Sequence, residues 1–538
     1  MGRLAERTLH PNTQRILLWV VGALGFAILF LLHAAMGKLV TPLHADQAYV
    51  VQYANAILGG NWGLRGWEQT TVTFYTEIPL YLLGIKLFGL GPDLMRIVPA
   101  FVHTVAILLI CILIWRNRTH DRLWIFAPVL LLLLMPSNGI WKYGLFGPMH
   151  HATACLGYLV LILIGPGMIG ERGIRSSLWI ALVSCLATWG DLAYLFVFAL
   201  PIVLAGVFAY RRDTSSQRRF AIATAAPVLL GSVAGQAVVM AMRAAGFGTP
   251  GGLENNVVVS ADRFAEKVVA TTGGWMEFFF PSFWNQPLGI KVYCALFLAV
   301  GLLWWMRAAY WAMFDQKAAA LDVLCVTMPI TVLALTALTY RQGWVDESRM
   351  LVPAYFLGVL LISRWWQAQE RPVLNAWMPG MVAVGSVVLS AVFLSQNRLM
   401  LAGDAYSAKY IRVAEFLKEK GLTHGYADFW SAHLTMVAGG GSLSLSPVLN
   451  PSTSKIGPYL WASKTDWYVG WKANFMLIKG QGERPEEGSP HSQRELLEAA
   501  ERYWGQPSAR YTVEGMVVLV WDEPKSIHQS ELPLSLRR

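Results

Sequence analysis

Asp46 stands shortly after a long apolar run. Ile16 to Met36 carries no charged residue, and the acid follows at the head of DQAYVVQYANAILGGNWG. Other acids also fall in the connections between apolar runs: Glu68 and Glu77 in the same stretch as Asp46, and Asp346 with Glu347 much later. Asp191 is different, because ATWGDLAYLF flanks it with apolar residues on both sides. A carboxylate at such a depth is costly unless it is paired or lines a wet cavity. Cations and aromatic residues share these connections. Arg65 lies in the first, Lys142 and Tyr143 lie in SNGIWKYGLFGPMHH ahead of His150 and His151, and Arg341 and Arg349 bracket RQGWVDESR. A carboxylate can take the proton of an attacking hydroxyl. Cations, arginine above all, hold an anionic head group. Interfacial Lys, Arg, Trp and Tyr also serve simply as membrane anchors. Two adjacent histidines with no third donor nearby are a weak basis for a metal site.

The elements that must position these side chains are membrane spans. Of 538 residues, 55% are hydrophobic and 14% charged, with a mean hydropathy of +0.44. Soluble proteins carry about 25% charged residues. We read eleven spans, at roughly 16–36, 95–116, 122–136, 150–165, 178–189, 191–210, 220–242, 290–307, 321–340, 349–363 and 376–395. The stretch 178–189 is too short to cross without its neighbour. The first run is too long for a signal peptide and is read as a retained anchor.

Arg3, Arg7 and Arg15 precede the first span, and each even-numbered connection is short and basic. That bias puts the N-terminus in the cytoplasm. An odd span count then puts the C-terminal part outside, in the periplasm of a Gram-negative cell. The net charge of +10 belongs to these loops and does not indicate nucleic acid. The cysteines, Cys111, Cys155, Cys185, Cys294 and Cys325, all fall in apolar runs, so neither a disulfide nor a cysteine metal site is expected.

The expected architecture is an all-α polytopic domain, 1–395, followed by a soluble α/β domain, 396–538, on the outer surface. In the second, YSAKYIRVAEFLKEKG and QRELLEAAERYW read as helices, while HGYADFW, SLSLSP and YTVEGMVVLVW read as strands. SQNRLMLAGDAY reads as the linker and KGQGERPEEGSPHSQ as a charged loop. The first outer loop, 37–94, holds two short helices, one from Asp46 and one opened by Pro79 and closed at Gly89–Pro92. Both are expected to lie in the membrane interface.

These residues resemble the membrane glycosyltransferases of the multi-span GT-C fold, and more narrowly the bacterial glycosyltransferase family 39. That group includes relatives of the protein mannosyltransferases and of the aminoarabinose transferase that modifies lipid A. The residues carrying the resemblance are Asp46-Gln47, Tyr49, Gly60-Asn61-Trp62, Ile78-Pro79-Leu80, Phe88-Gly89 and Arg96, with Arg349, Leu351 and Pro353 in SRMLVPAYF. The likeness is closest over the first ~120 residues, and weak in the C-terminal domain. It implies a sugar transferred, with inversion, from a polyprenyl-phosphate carrier to a lipid, glycan or protein acceptor on the outer face. Asp46 then acts as general base. The implied substrate-binding residues are Asp191, Arg349, Lys142, Tyr143, His151, Arg65, Arg341 and Glu77.

The chain departs from the family pattern at two places. Gln47 stands where a second acid is frequent, and Glu77 stands where the family places a lysine against the carrier phosphate. Arg65, Lys142, Arg341 and Arg349 are the cations that can replace that lysine. No cofactor is expected, and a divalent cation between Asp46, Asp191 and the phosphate is the alternative. The expected partners are the lipid-linked sugar donor, the acceptor and membrane lipids. The expected location is a bacterial plasma membrane. A transporter or flippase of a lipid-linked glycan is the rival function. Transporters often carry internal repeats and midplane broken helices, and neither is evident here. A glycan polymerase or ligase of another fold would centre on a large late loop, whereas the large loop here is the first.

Overall fold

The computed structural model describes residues 11–40, 43–68, 77–116, 156–163, 173–191, 194–211, 215–245, 256–258, 264–269, 276, 287–315, 318–341, 351–368, parts of 384–391, 405–452, 455–479, 493–528 and 532. Most of the N-terminal part is helical. α1 (Pro11–Val40) leads into α2 (Ala45–Leu58), α3 (Ile78–Phe88) and α4 (Leu94–Arg116). α5 (Ile174–Gly190) is followed by a π-turn, Leu195–Ala199, and α6 (Leu200–Arg211). α7 (Ala226–Ala244), α8 (Leu288–Phe314), α9 (Ala320–Leu338) and α10 (Leu351–Ala368) complete this part.

Three helices are long and apolar enough to cross a membrane: Leu94–Ile114, Arg218–Met242 and Leu288–Phe314. Shorter apolar helices accompany them, among them Gly22–Lys38 and Ile174–Gly190. Among the described residues, three of the eleven expected spans meet that criterion. Span 122–136 and most of 376–395 lie outside those residues. The short span read at 178–189 begins earlier than expected, and α5 has 17 residues.

Two contacts organise this region. Gly231 and Gly235, one turn apart on α7, let it approach α5 closely. A Cβ at Gly231 would fall 2.1 Å from the carbonyl oxygen of Ala181, and one at Gly235 2.5 Å from that of Cys185. Small residues at this spacing are a common way for apolar helices to pack where water provides no driving force. Between α9 and α10, the Arg364 guanidinium donates Nε to Asp322 Oδ1 and Nη2 to Oδ2 (3.1 Å). Asp322 is fully buried, and its Oδ2 also accepts from the Ala319 N–H at 2.7 Å.

The C-terminal part opens with α11 (Ala405–Glu419) and builds one six-stranded sheet, with α12 (Phe429–Ala438) and α13 (Gln493–Trp504) packed on it. The strands are β4 (His424–Ala427), β5 (Ser444–Ser452), β6 (Lys455–Pro458), β8 (Ala473–Ile478), β9 (Ala509–Val513) and β10 (Met516–Lys525), in the order β6-β5-β4-β8-β10-β9. β4 is parallel to both β5 and β8, and the remaining pairs are antiparallel. The short strands β1 (Trp67–Glu68) and β7 (Ser463–Lys464) pair with each other, as do β2 (Asn256–Val258) and β3 (Thr339–Arg341).

Two strand expectations need correction. HGYADFW is a strand only to Ala427. Asp428 then caps α12, its Oδ1 accepting from the Ser431 N–H at 3.1 Å, a role in which aspartate satisfies an otherwise orphaned donor. YTVEGMVVLVW is a hairpin, with Glu514 (φ 52) and Gly515 (φ 78) as its two left-handed turn residues. Positive φ at both centres matches the right-handed twist of the flanking strands.

Candidate active site between the first loop and the C-terminal domain

The first loop is built against the C-terminal domain. Nine of the 14 residues of α2 are buried, so this helix packs mainly against protein. α3 keeps the exposed apolar face, with Leu83, Leu87 and Phe88 all more than half exposed, and Trp62 between the helices is 75% exposed. α2, α3 and the start of α4 share one hydrophobic core with α11, α12 and the sheet. β1 of the loop pairs with β7 of the domain. Thr465 donates both its N–H (2.7 Å) and its hydroxyl (3.0 Å) to the Gly66 carbonyl.

Asp46 lies in the first turn of α2, where a helix end favours negative charge. His44 caps the helix: the Asp46 N–H donates to its Nδ1 at 3.2 Å. The same nitrogen is 3.6 Å from Asp46 Oδ2. A nitrogen that accepts from the backbone has no proton to give, so this contact is not an ion pair while the cap holds. The Asp46 side chain is 16% exposed.

α12 packs along α2. Gln52 Nε2 donates to the His433 carbonyl at 3.1 Å, and Gln52 Oε1 faces His433 Nδ1 at 3.0 Å. A carbonyl only accepts, which fixes the amide and places the ring proton on Nδ1. His433 is fully buried, its Nε2 has no partner among the described residues, and burial takes its pKa down to about 3. Aromatic rings fill the seam. Tyr49 meets His433 at 6.2 Å, Tyr53 meets Trp67 at 4.9 Å, and Trp67 meets Trp467 at 5.2 Å. Phe429 touches both His433 (4.7 Å) and Tyr459 (5.3 Å).

The other expected site residues are placed as follows. Arg65 is exposed in a loop whose backbone is held by Asn61, which accepts from the Arg65 N–H (2.9 Å) and donates to its carbonyl (3.0 Å). Glu77 is 2% exposed and immediately precedes α3. Its charge, after burial, helps hold the Tyr81 hydroxyl above its ordinary range. Asp191 is 4% exposed and ends α5. It belongs to the α5–α7 packing unit, whereas Asp46 belongs to the α2–α12 seam. Arg341 is placed only as the last residue of β3. Lys142, Tyr143, His150, His151 and Arg349 lie outside the described residues. No cluster of three or more His, Cys, Asp or Glu that could hold a metal forms among the described residues.

The sequence reading missed Gln52, Phe429, His433 and Tyr459. The available signal was the aromatic load of the first loop, Tyr49, Tyr53 and Trp67, which needs a partner surface.

This combination is a helical membrane fold whose first loop is roofed by a C-terminal sheet domain. Solved structures share it over nearly the whole chain. "ArnT from Cupriavidus metallidurans in the apo state" aligns with a TM-score of 0.52 at 14% identity, over 95% of this chain and 98% of that one. The same protein bound to undecaprenyl phosphate aligns with a TM-score of 0.51 at 15% identity, over 93% and 97%. The GT-C resemblance read from the first loop thus extends, as a fold, through the C-terminal domain. No family model matches the chain, and no curated protein matches it.

Proposed function

We propose that this protein is an integral membrane glycosyltransferase. It takes a sugar from a polyprenyl-phosphate-linked donor and gives it to a lipid, glycan or protein acceptor on the outer face of a bacterial plasma membrane. The observation that carries the reading is the fold shared end to end with ArnT, a lipid A aminoarabinose transferase with one structure bound to undecaprenyl phosphate. The exposed apolar face of α3 beside Trp62 supports a first loop that meets lipid.

In this reading Asp46 is the general base. Its carboxylate takes the acceptor's proton while the acceptor oxygen attacks the anomeric carbon from the face opposite the leaving group. The bond from that carbon to the phosphate oxygen breaks, its electron pair stays on the phosphate, and the configuration inverts. Cations near the phosphate stabilise the departing charge. Arg65, Lys142, Arg341 and Arg349 are the proposed set, with Tyr143, His151 and Asp191 lining the substrate path. Glu77 is reassigned from the phosphate to the packing of α3, since it is buried. The N-terminus is cytoplasmic and the domain at 396–538 lies outside.

The test is a mass-spectrometric profile of envelope glycans from a strain lacking the protein and the same strain restored with it. One glycan losing a single sugar, and regaining it on restoration, is the expected result. An unchanged profile contradicts a transferase and favours the transporter.

A further inference from the structure

We propose that Tyr459 binds the acceptor, so that the C-terminal domain supplies one wall of the active site beside Asp46. This rests on the transferase reading above, with Asp46 as base.

The register of α2 against α12 brings the two residues to one place. The helices lie side by side with their N-termini at the same end. Beyond the end of α12, a Cβ on Gly441 would meet Asn55 Nδ2 at 3.7 Å. At mid-length, Gln52 and Tyr49 both meet His433. That register, extended one turn toward the N-termini, sets the Asp46 turn of α2 level with Phe429 at the start of α12, and the Phe429 ring packs on Tyr459. Consistent with that placement, the Asp46 charge adds to burial in pushing the Tyr459 hydroxyl up to about 12. The phenol therefore keeps its proton at neutral pH.

The main chain of Tyr459 is pinned. Its N–H donates to the Pro447 carbonyl at 3.0 Å. Its own carbonyl accepts from the Tyr468 hydroxyl at 3.0 Å and from Ser463 Oγ. Downstream, β7 is tied to β1. The hydroxyl, in contrast, makes no hydrogen bond among the described residues, and the side chain is only half-buried. A fixed donor near the base can hold a polar oxygen of the acceptor and so present the nucleophilic hydroxyl to Asp46.

Tyr459→Phe removes the hydroxyl and keeps the ring on Phe429. Wild type and variant are compared by the glycan restored in the deficient strain, by undecaprenyl phosphate binding to the purified full-length protein, and by thermal unfolding. The expected variant unfolds and binds undecaprenyl phosphate as wild type does, while its product falls roughly tenfold or more, as for a lost hydrogen bond in a reacting complex. Wild-type product overturns the proposal. So does a product loss matched by an equal loss of undecaprenyl phosphate binding, which moves Tyr459 to the donor side. If Tyr459→Phe unfolds early, Tyr459→His decides: a recovered product supports the donor role, and none overturns it. If wild type itself restores no glycan, the transferase reading fails, and this proposal falls with it.

Discussion

Gln52 and His433 lie 381 positions apart and are joined by two hydrogen bonds, one to the ring and one to the main chain. They clamp the helix whose first turn holds Asp46 to the first helix that follows β4. The rigidity of the candidate base therefore depends on a domain that the sequence separates from it by the whole membrane region.

Gln52→Ala leaves the His433 ring N–H buried without a partner and takes the second hydrogen bond from a carbonyl that its own helix already satisfies. An unsatisfied buried polar group costs about 1–3 kcal/mol. The variant is expected to unfold at a lower temperature, and Gln52→Glu is not expected to rescue it, because a carboxylate cannot donate to the carbonyl. Tryptophan fluorescence during heating of the purified protein checks both.

His433 makes the seam sensitive to acid. Burial lowers its pKa from 6.5 to about 3, so the unfolded chain binds more protons than the folded one between those values. The stability it preserves is complete above 6.5 and is lost as pH falls through 6.5 toward 3, by at most about 1.4 kcal/mol per pH unit. Unfolding temperature measured against pH is expected to fall less steeply below 6.5 in His433→Gln than in wild type.

The Asp322–Arg364 pair is a separate stability element. Arg364→Met leaves a buried carboxylate uncompensated, at about 3–5 kcal/mol. Asp322→Leu combined with Arg364→Met removes both charges and is expected to recover most of the loss. Yield and unfolding temperature of the three proteins decide it. A double variant as unstable as the single one contradicts the account.

Gly231→Leu pushes a side chain into the α5 backbone at Ala181, where even a Cβ has no room. Overpacking costs about 1–3 kcal/mol or more, and Gly235→Leu is expected to act alike. Leucine at Gly22, where nothing lies within 4 Å, is the control expected to be neutral.

Local patterns were legible in the sequence. α2, α3, α11 and α13 fall where periodicity and glycine or proline punctuation placed them. The strand read through Asp428 failed because a capping aspartate changes the backbone within one residue. The hairpin at Glu514-Gly515 was hidden by an unbroken run of strand-forming residues. The proposed site joins a residue read from the sequence to others that were not. Asp46 was read from its position after a span, whereas His433, packed against the same helix, and Tyr459, packed on Phe429, belong to a distant sheet domain whose parallel strands and crossover spacing does not encode. The burial of Glu77 follows from the packing of α3 and was not legible from its neighbours in sequence.

Whether Asp46 is the base of a sugar transfer is decided by restoring the deficient strain with altered proteins. The deficient strain is restored with wild type, Asp46→Asn or Asp46→Glu, at equal expression checked by blot, and its envelope glycans are profiled by mass spectrometry. Removing a general base lowers rate by about 10²–10⁴-fold. Wild type is expected to return the missing sugar, Asp46→Asn none detectable, and Asp46→Glu a fraction. Full restoration by Asp46→Asn would show that this stretch is only structural and that the mechanism is wrong.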